Sequence, residues 1–184
     1  MGRAEAYRRG VPFTPFHFGP GLVGKGLAPR WYSWTAFVAS NVIIDVESLY
    51  YLQQHAYPVH RQLHTFLGAA LFGLATAGVL LGMRRLLPNV RSWLDARSPT
   101  IRAEAAPLGI VVGAMVGALS HPVLDGLMHA DIQPLQPWSD ANPLLGLVGL
   151  EALHTGCMAA GVVGALLVLI WLVRERRGSR ASRG

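Results

Sequence analysis

His60 and His64 stand four residues apart just after Pro58. Proline suits a helix start, so the spacing predicts both imidazoles on one helical face, able to grip a single ion at about 2.0 to 2.1 Å were it zinc. His121 and Asp125 repeat the four-residue step, with Ser120 before them and Pro122 expected to kink their helix. Asp45 and Glu47 are two apart, which on a regular helix sends them to nearly opposite faces. Both serve one site only if the helix ends or unwinds there. Otherwise Asp45, the deeper, is the ligand candidate and Glu47 faces water. His129 extends the step from His121 and Asp125 into a connection rich in Pro and Gln, where it and Asp131 either complete the site or are simply solvated; the continued step favours His129 as a metal ligand.

A divalent ion is the natural partner of so many carboxylates and imidazoles in an apolar chain, because each unpaired carboxylate in a span costs roughly 2.5 to 3.5 kcal/mol on insertion scales. The chemistry implied is a metal-activated water attacking an ester, with Asp45, Glu47 or Glu151 as base. Glu151 and His154 are expected two to three turns into the last span, deep enough to need an internal partner. That depth assumes a helix opened by Asn142 as N-cap and Pro143 as its first residue. Nucleophilic serine chemistry is disfavoured, since Ser120 and His121 are helix neighbours that point apart. A Gly-rich phosphate loop with a following Lys is not seen. The single Cys157 excludes an intramolecular disulfide and a cysteine-rich metal site.

The elements that must position these groups are apolar helices. Of the 184 residues 52% are hydrophobic and only 14% charged, a balance that indicates an all-α integral membrane domain. Thr65 to Met83 and Gly156 to Val173 carry no charge. Trp31 to Leu52 and Ala105 to Met128 keep their polar groups at the C-terminal end, so about four spans are expected. Thr14 to Ala28 is too short and Gly-rich to span and is expected to be interfacial or re-entrant; the side from which it enters decides whether His17 meets Asp45. Domain organisation is read as a flexible 1–12, a membrane-embedded 13–173 and a solvated basic tail, 174–184.

The net charge of +6 does not indicate nucleic-acid binding, because its arginines are sorted. Arg84, Arg85, Arg91, Arg97 and Arg102 lie between the second and third spans, and Arg174, Arg176, Arg177, Arg180 and Arg183 follow the fourth. This pattern predicts a cytoplasmic C-terminus and an outward-facing site. The first thirty residues lack the apolar run of a cleavable signal peptide, so the first span is expected to direct insertion.

Assembled in this way, His17 in TPFHFGP, the acidic pair in NVIIDVE, HRQLHT and SHPVLDGLMHAD give a chain that resembles the bacterial membrane-bound metal-dependent hydrolases of the YdjM-like group. The resemblance covers most of the chain outside the termini and the Arg-rich loop. It implies a helical metal site distantly similar to that of zinc-dependent phospholipase C and related nucleases, with His17, Asp45, His60, His64, His121 and Asp125 as ligands. It further implies residence in the bacterial cytoplasmic membrane. Asp45 with Glu47 departs from the group's Asp-x-Asp, and the four-residue step from His60 to His64 departs from its five. The expected cofactor is Zn2+, with Mn2+ or Fe2+ compatible with the same donors. Expected partners are membrane lipids and a lipid-like phosphoester. A metal-ion or proton transporter and a noncatalytic metal-stabilised scaffold are the alternatives.

Overall fold

The computed structural model describes residues 14–181, so the expected flexible segment 1–12 lies outside the described residues. Among the described residues the chain is all-helical, with seven α-helices and no strand: α1 (Phe18–Leu27), α2 (Trp34–Gln53), α3 (Phe66–Leu86), α4 (Pro88–Asp95), α5 (Pro99–Arg102), α6 (Pro107–Met128) and α7 (Leu150–Ala181). Two 3-10 turns, Thr14–His17 and Gln62–His64, precede α1 and α3. Local chemistry sets several boundaries. Ser33 caps α2, its Oγ accepting from Ala36 N at 3.2 Å, and Thr65 caps α3, its Oγ1 accepting from Gly68 N at 2.9 Å. Pro88, Pro99 and Pro107 open α4, α5 and α6.

Helix α6 packs against both α2 and α3, and α1 lies along α7. The α2–α6 contact is backbone-close: a Cβ on Gly113 would run into the Ser33 carbonyl, and Gly109 accepts a 2.9 Å hydrogen bond from Ser33 N. Around this centre the apolar side chains point outward. Leu71, Leu74 and Val79 of α3 and Val162, Leu166 and Leu169 of α7 are all exposed, the arrangement that suits a lipid environment.

Three helices are long and apolar enough to cross a membrane, within Phe66–Leu86, Pro107–Met128 and Leu150–Ser179, which is one fewer than the composition suggested. Helix α2 has the length, at 20 residues, but not the hydropathy, because Ser40, Asn41, Asp45, Glu47 and Ser48 lie along it. The start of α7 also differs. It begins at Leu150, not Pro143. Asn142 instead ties residues 130–149 to the end of α6, its amide donating to the carbonyls of Gly126 at 2.9 Å and His129 at 3.3 Å while its Oδ1 accepts from Leu144 N. The basic tail is helical as far as Ala181, with Glu175 accepting from the Thr100 hydroxyl at 3.0 Å.

Candidate metal centre

The C-terminal part of α2, the C-terminal third of α6 and the connection into α3 meet at one end of the molecule. Asp45, His64, His121 and Asp125 each direct one donor atom into a common space, all four lying within 4.8 Å of one another. His121 Nε2 is 3.2 Å from Asp45 Oδ1 and 3.1 Å from Asp125 Oδ2, and His64 Nε2 lies 3.8 and 3.6 Å from the same two oxygens. A tetrahedral ion with bonds near 2.0 to 2.1 Å has ligand-to-ligand edges of about 3.3 to 3.4 Å. The observed separations bracket that edge.

A second group, His60, Asp125 and His129, shares Asp125 with the first. His17 adds Nε2 at 2.9 Å from Asp125 Oδ1, with its ring stacked on His121 at 4.5 Å, and the His60 and His129 rings also lie 4.5 Å apart. These atoms pair by distance around Asp125 but not by hydrogen-bond alignment. His17 Nδ1 and Nε2, His60 Nε2, His121 Nε2, His129 Nε2 and both Asp125 oxygens are buried and, among the described residues, make no aligned hydrogen bond. Such a concentration of unmet polar atoms in an apolar protein has few explanations other than a ligand that binds there. The donor set of imidazole nitrogen and carboxylate oxygen fits a divalent first-row ion.

The backs of the imidazoles are held. His64 Nδ1 donates to Glu47 Oε2 at 3.2 Å, His60 Nδ1 donates to Asp131 Oδ1 at 2.9 Å, and His121 Nδ1 donates to Asn41 Oδ1 at 3.2 Å. The Asn41 amide orientation follows from its own bond, Nδ2 to the Phe37 carbonyl at 3.0 Å. A carboxylate or amide oxygen can only accept, so each ring in its neutral form carries its proton on Nδ1 and turns an Nε2 lone pair inward. Ser48 Oγ, 3.3 Å from His64 Nε2, occupies that lone pair with a rotatable hydroxyl. Burial pushes the His64 imidazole toward its neutral form, but hydrogen bonds to Asp45 and Glu47 outweigh it and raise its pKa. Burial lowers that of His129. Asp131 is raised by burial but lowered further by the His60 hydrogen bond and charge, ending at about 2.

His60 and His64 do not share a helical face: both precede α3, with His64 in a 3-10 turn, and they converge because the connection folds inward. Helix α2 does not unwind at Asp45 and Glu47. His64 lies between them, Asp45 at its Nε2 and Glu47 at its Nδ1, so opposite faces still meet one ring. Glu47 is no solvated carboxylate, since its Oε2 also accepts from Arg61 N and Leu63 N. His17 joins the cluster because α1 runs away from it toward the opposite end, where Lys25 is bound.

Glu151 is not brought to the cluster; in the first turn of α7 it is exposed, a consequence of the later helix start. His154 stacks on Phe16 at 4.3 Å. Asn41 is the orienting residue that pattern reading did not single out, and its signal was the four-residue step to Asp45 on one face of α2.

The model of the family described as YdjM inner membrane protein matches residues 13–181 of the chain. No curated protein and no solved structure gives a significant match.

Proposed function

The chain belongs to the YdjM inner membrane protein family, and from that premise we propose that it is a membrane-bound, metal-dependent hydrolase acting on a phosphoester of a lipid or envelope component. The carrying observation is the set of three imidazoles whose Nδ1 atoms are tied to Glu47, Asp131 and Asn41 while their Nε2 atoms converge. His64, His121, Asp45 and Asp125 would hold one ion, and His60, His129 and Asp125 a second, with His17 completing the shared side at Asp125. Zn2+ is the ion best matched to this set, and Mn2+ or Fe2+ share the donors. When bound, it supplies a water acidified toward neutral pH and an electrophile for the charge that develops on the phosphoryl oxygens.

The chain's own groups divide the remaining work. Hydrolysis consumes one water and breaks one ester P–O bond, so a base must hold the water's proton and an acid must return one to the leaving alcohol. Asp45 is suited to take the water's proton and return it to the leaving alkoxide, since its side chain is 14% exposed and faces the cluster, whereas Asp125 is fully enclosed and Glu47 is engaged by backbone amides. Helix α2 completes a four-span bundle in this reading, sheltered by α6. The arginine distribution supports a cytoplasmic C-terminus and an outward-facing site. Against transport stands the close packing of α6 on α2 below the cluster, where a Cβ on Gly113 or Gly117 would run into the Ser33 or Phe37 carbonyl.

Elemental analysis of the detergent-purified protein tests the reading, beside a His64→Ala, His121→Ala double variant. Stoichiometric zinc, manganese or iron that the variant loses, together with phosphoester turnover that a chelator stops, is the expected result. Wild-type protein that stays metal-free after repletion would sink it.

A further inference from the structure

Beside the metal cluster, where α1, α2 and α7 meet, lies an apolar groove of about 310 Å³ lined by Phe16, Phe18, Leu22, Trp34, Cys157 and Gly161. One end is made by Phe16, the residue before His17, whose Nε2 stands 2.9 Å from Asp125. Resting on the hydrolase reading above, we propose that this groove holds one acyl chain of a phosphoglyceride whose phosphate lies at the metal centre.

Three observations carry the assignment to a hydrocarbon chain. The α7 residues that line the groove fall inside a helix apolar and long enough to cross a membrane, so the medium at the groove's mouth is lipid. The groove is built by the backbone: a Cβ on Gly19 would collide with the Cys157 carbonyl, and a Cβ on Gly161 would rest on Gly19 Cα at 3.5 Å, so paired glycines hold α1 against α7 at the groove's wall. Third, the polar and apolar parts follow one another in the order of a phospholipid. The His and Asp cluster stands at one end, the Phe16 and His154 ring pair at 4.3 Å marks the boundary, and the remaining lining is apolar. The exposed side chains of α3 at Leu71, Leu74 and Val79 are also apolar, but they lie outside this groove and serve as the internal reference.

The full-length protein, metal-loaded and reconstituted in phosphatidylglycerol vesicles, is irradiated with a trace of phosphatidylglycerol carrying a diazirine midway along one acyl chain, and labelled peptides are mapped. Labelling of 16–22 and 157–161 should exceed that of 71–79 by about tenfold, and should fall to the reference level in Gly161→Leu with metal content unchanged. Met158→Trp, at a half-exposed groove position, is the second plug should Gly161→Leu fold poorly. Even labelling of all apolar faces overturns the groove. Headgroup release from the same vesicles is measured in parallel: labelling without release sinks the hydrolase reading and leaves the chain site standing, and release without preferential labelling does the reverse.

Discussion

Two buried polar knots occupy opposite ends of this molecule, and only one is complete. At the end away from the His and Asp cluster, Lys25 is enclosed and donates to the carbonyls of Pro29 at 3.2 Å, Tyr32 at 2.7 Å and Thr100 at 3.0 Å and to Glu104 Oε1 at 2.7 Å. Glu104 in turn accepts from Ser33 Oγ at 3.2 Å and Thr35 N at 2.8 Å. Every ammonium proton has an acceptor within the chain, and the result joins the α1–α2 turn to the start of α6. The cluster at the other end has its imidazoles oriented just as firmly from behind, yet among the described residues Nε2 of His17, His60, His121 and His129 and both Asp125 oxygens face one another without an aligned hydrogen bond. A satisfied knot holds a fold together, whereas an oriented but unsatisfied one is preorganised for something the chain does not encode.

Breaking the complete knot should cost most. Lys25→Met strands Glu104 and three carbonyls and is expected to destabilise by about 3 to 5 kcal/mol, read as a lower melting temperature in detergent that a chelator does not alter further than in wild type. Lys25→Met with Glu104→Gln should recover part of that loss. Asp125→Asn should behave oppositely: metal content falls to background, and the stabilisation by added metal, about 2.7 kcal/mol at a hundredfold excess over Kd, disappears, while the chelated variant melts no lower than chelated wild type. A chelated variant that unfolds would make the cluster a structural knot like the first. Next come the groups behind the imidazoles. Glu47→Gln or Asn41→Ala should weaken metal binding by about 10- to 100-fold in competition titrations with the fold retained.

The smallest effect sharpens the contrast through pH. The carboxylates beside His64 raise its pKa above the ordinary value near 6.5, so in the chelated protein they help hold a proton on the ring that a bound ion must displace. Metal affinity should therefore climb with pH through and beyond neutrality, steeply in wild type and less so in Glu47→Gln. For Asp131 the sign is the reverse kind: its folded pKa near 2 lies below the unfolded value near 3.9, so the stability it contributes is present above about pH 4 and fades as pH falls toward 2. Thermal melts of chelated wild type and Asp131→Asn should converge over that interval.

The residues that meet at the cluster were visible in the sequence because an apolar chain has few reasons to carry His and Asp at span ends. How they meet was not. A four-residue step at His60 and His64 looks helical, but inward folding of the connection, pinned by Glu47 and Asp131, brings them together instead. His17 depends on whether a ten-residue helix approaches from above or below, and the Lys25 contacts that decide it link residues 75 and 79 positions apart. Apolar spans were legible for α3 and α6, where composition and length agree. Pro143 misled because a proline that opens a helix and one that lies in a loop look alike locally, while the bonds of Asn142 to the end of α6 are long-range.

Helix α2 is too polar to qualify as a span by its own hydropathy, and the side-chain oxygen of its Asn41 is met by His121 of α6. During synthesis the ribosome completes α2 at Gln53 and reaches the end of α6 at Met128 roughly 4 to 15 s later, at about 5 to 20 residues per second. Through that interval the polar face of α2 meets only residues 61–64 and lacks the His121 and Asp125 side, so on the four-span reading its settlement in the bilayer is a late event in biogenesis, governed by the arrival of α6 and not by its own partition into lipid.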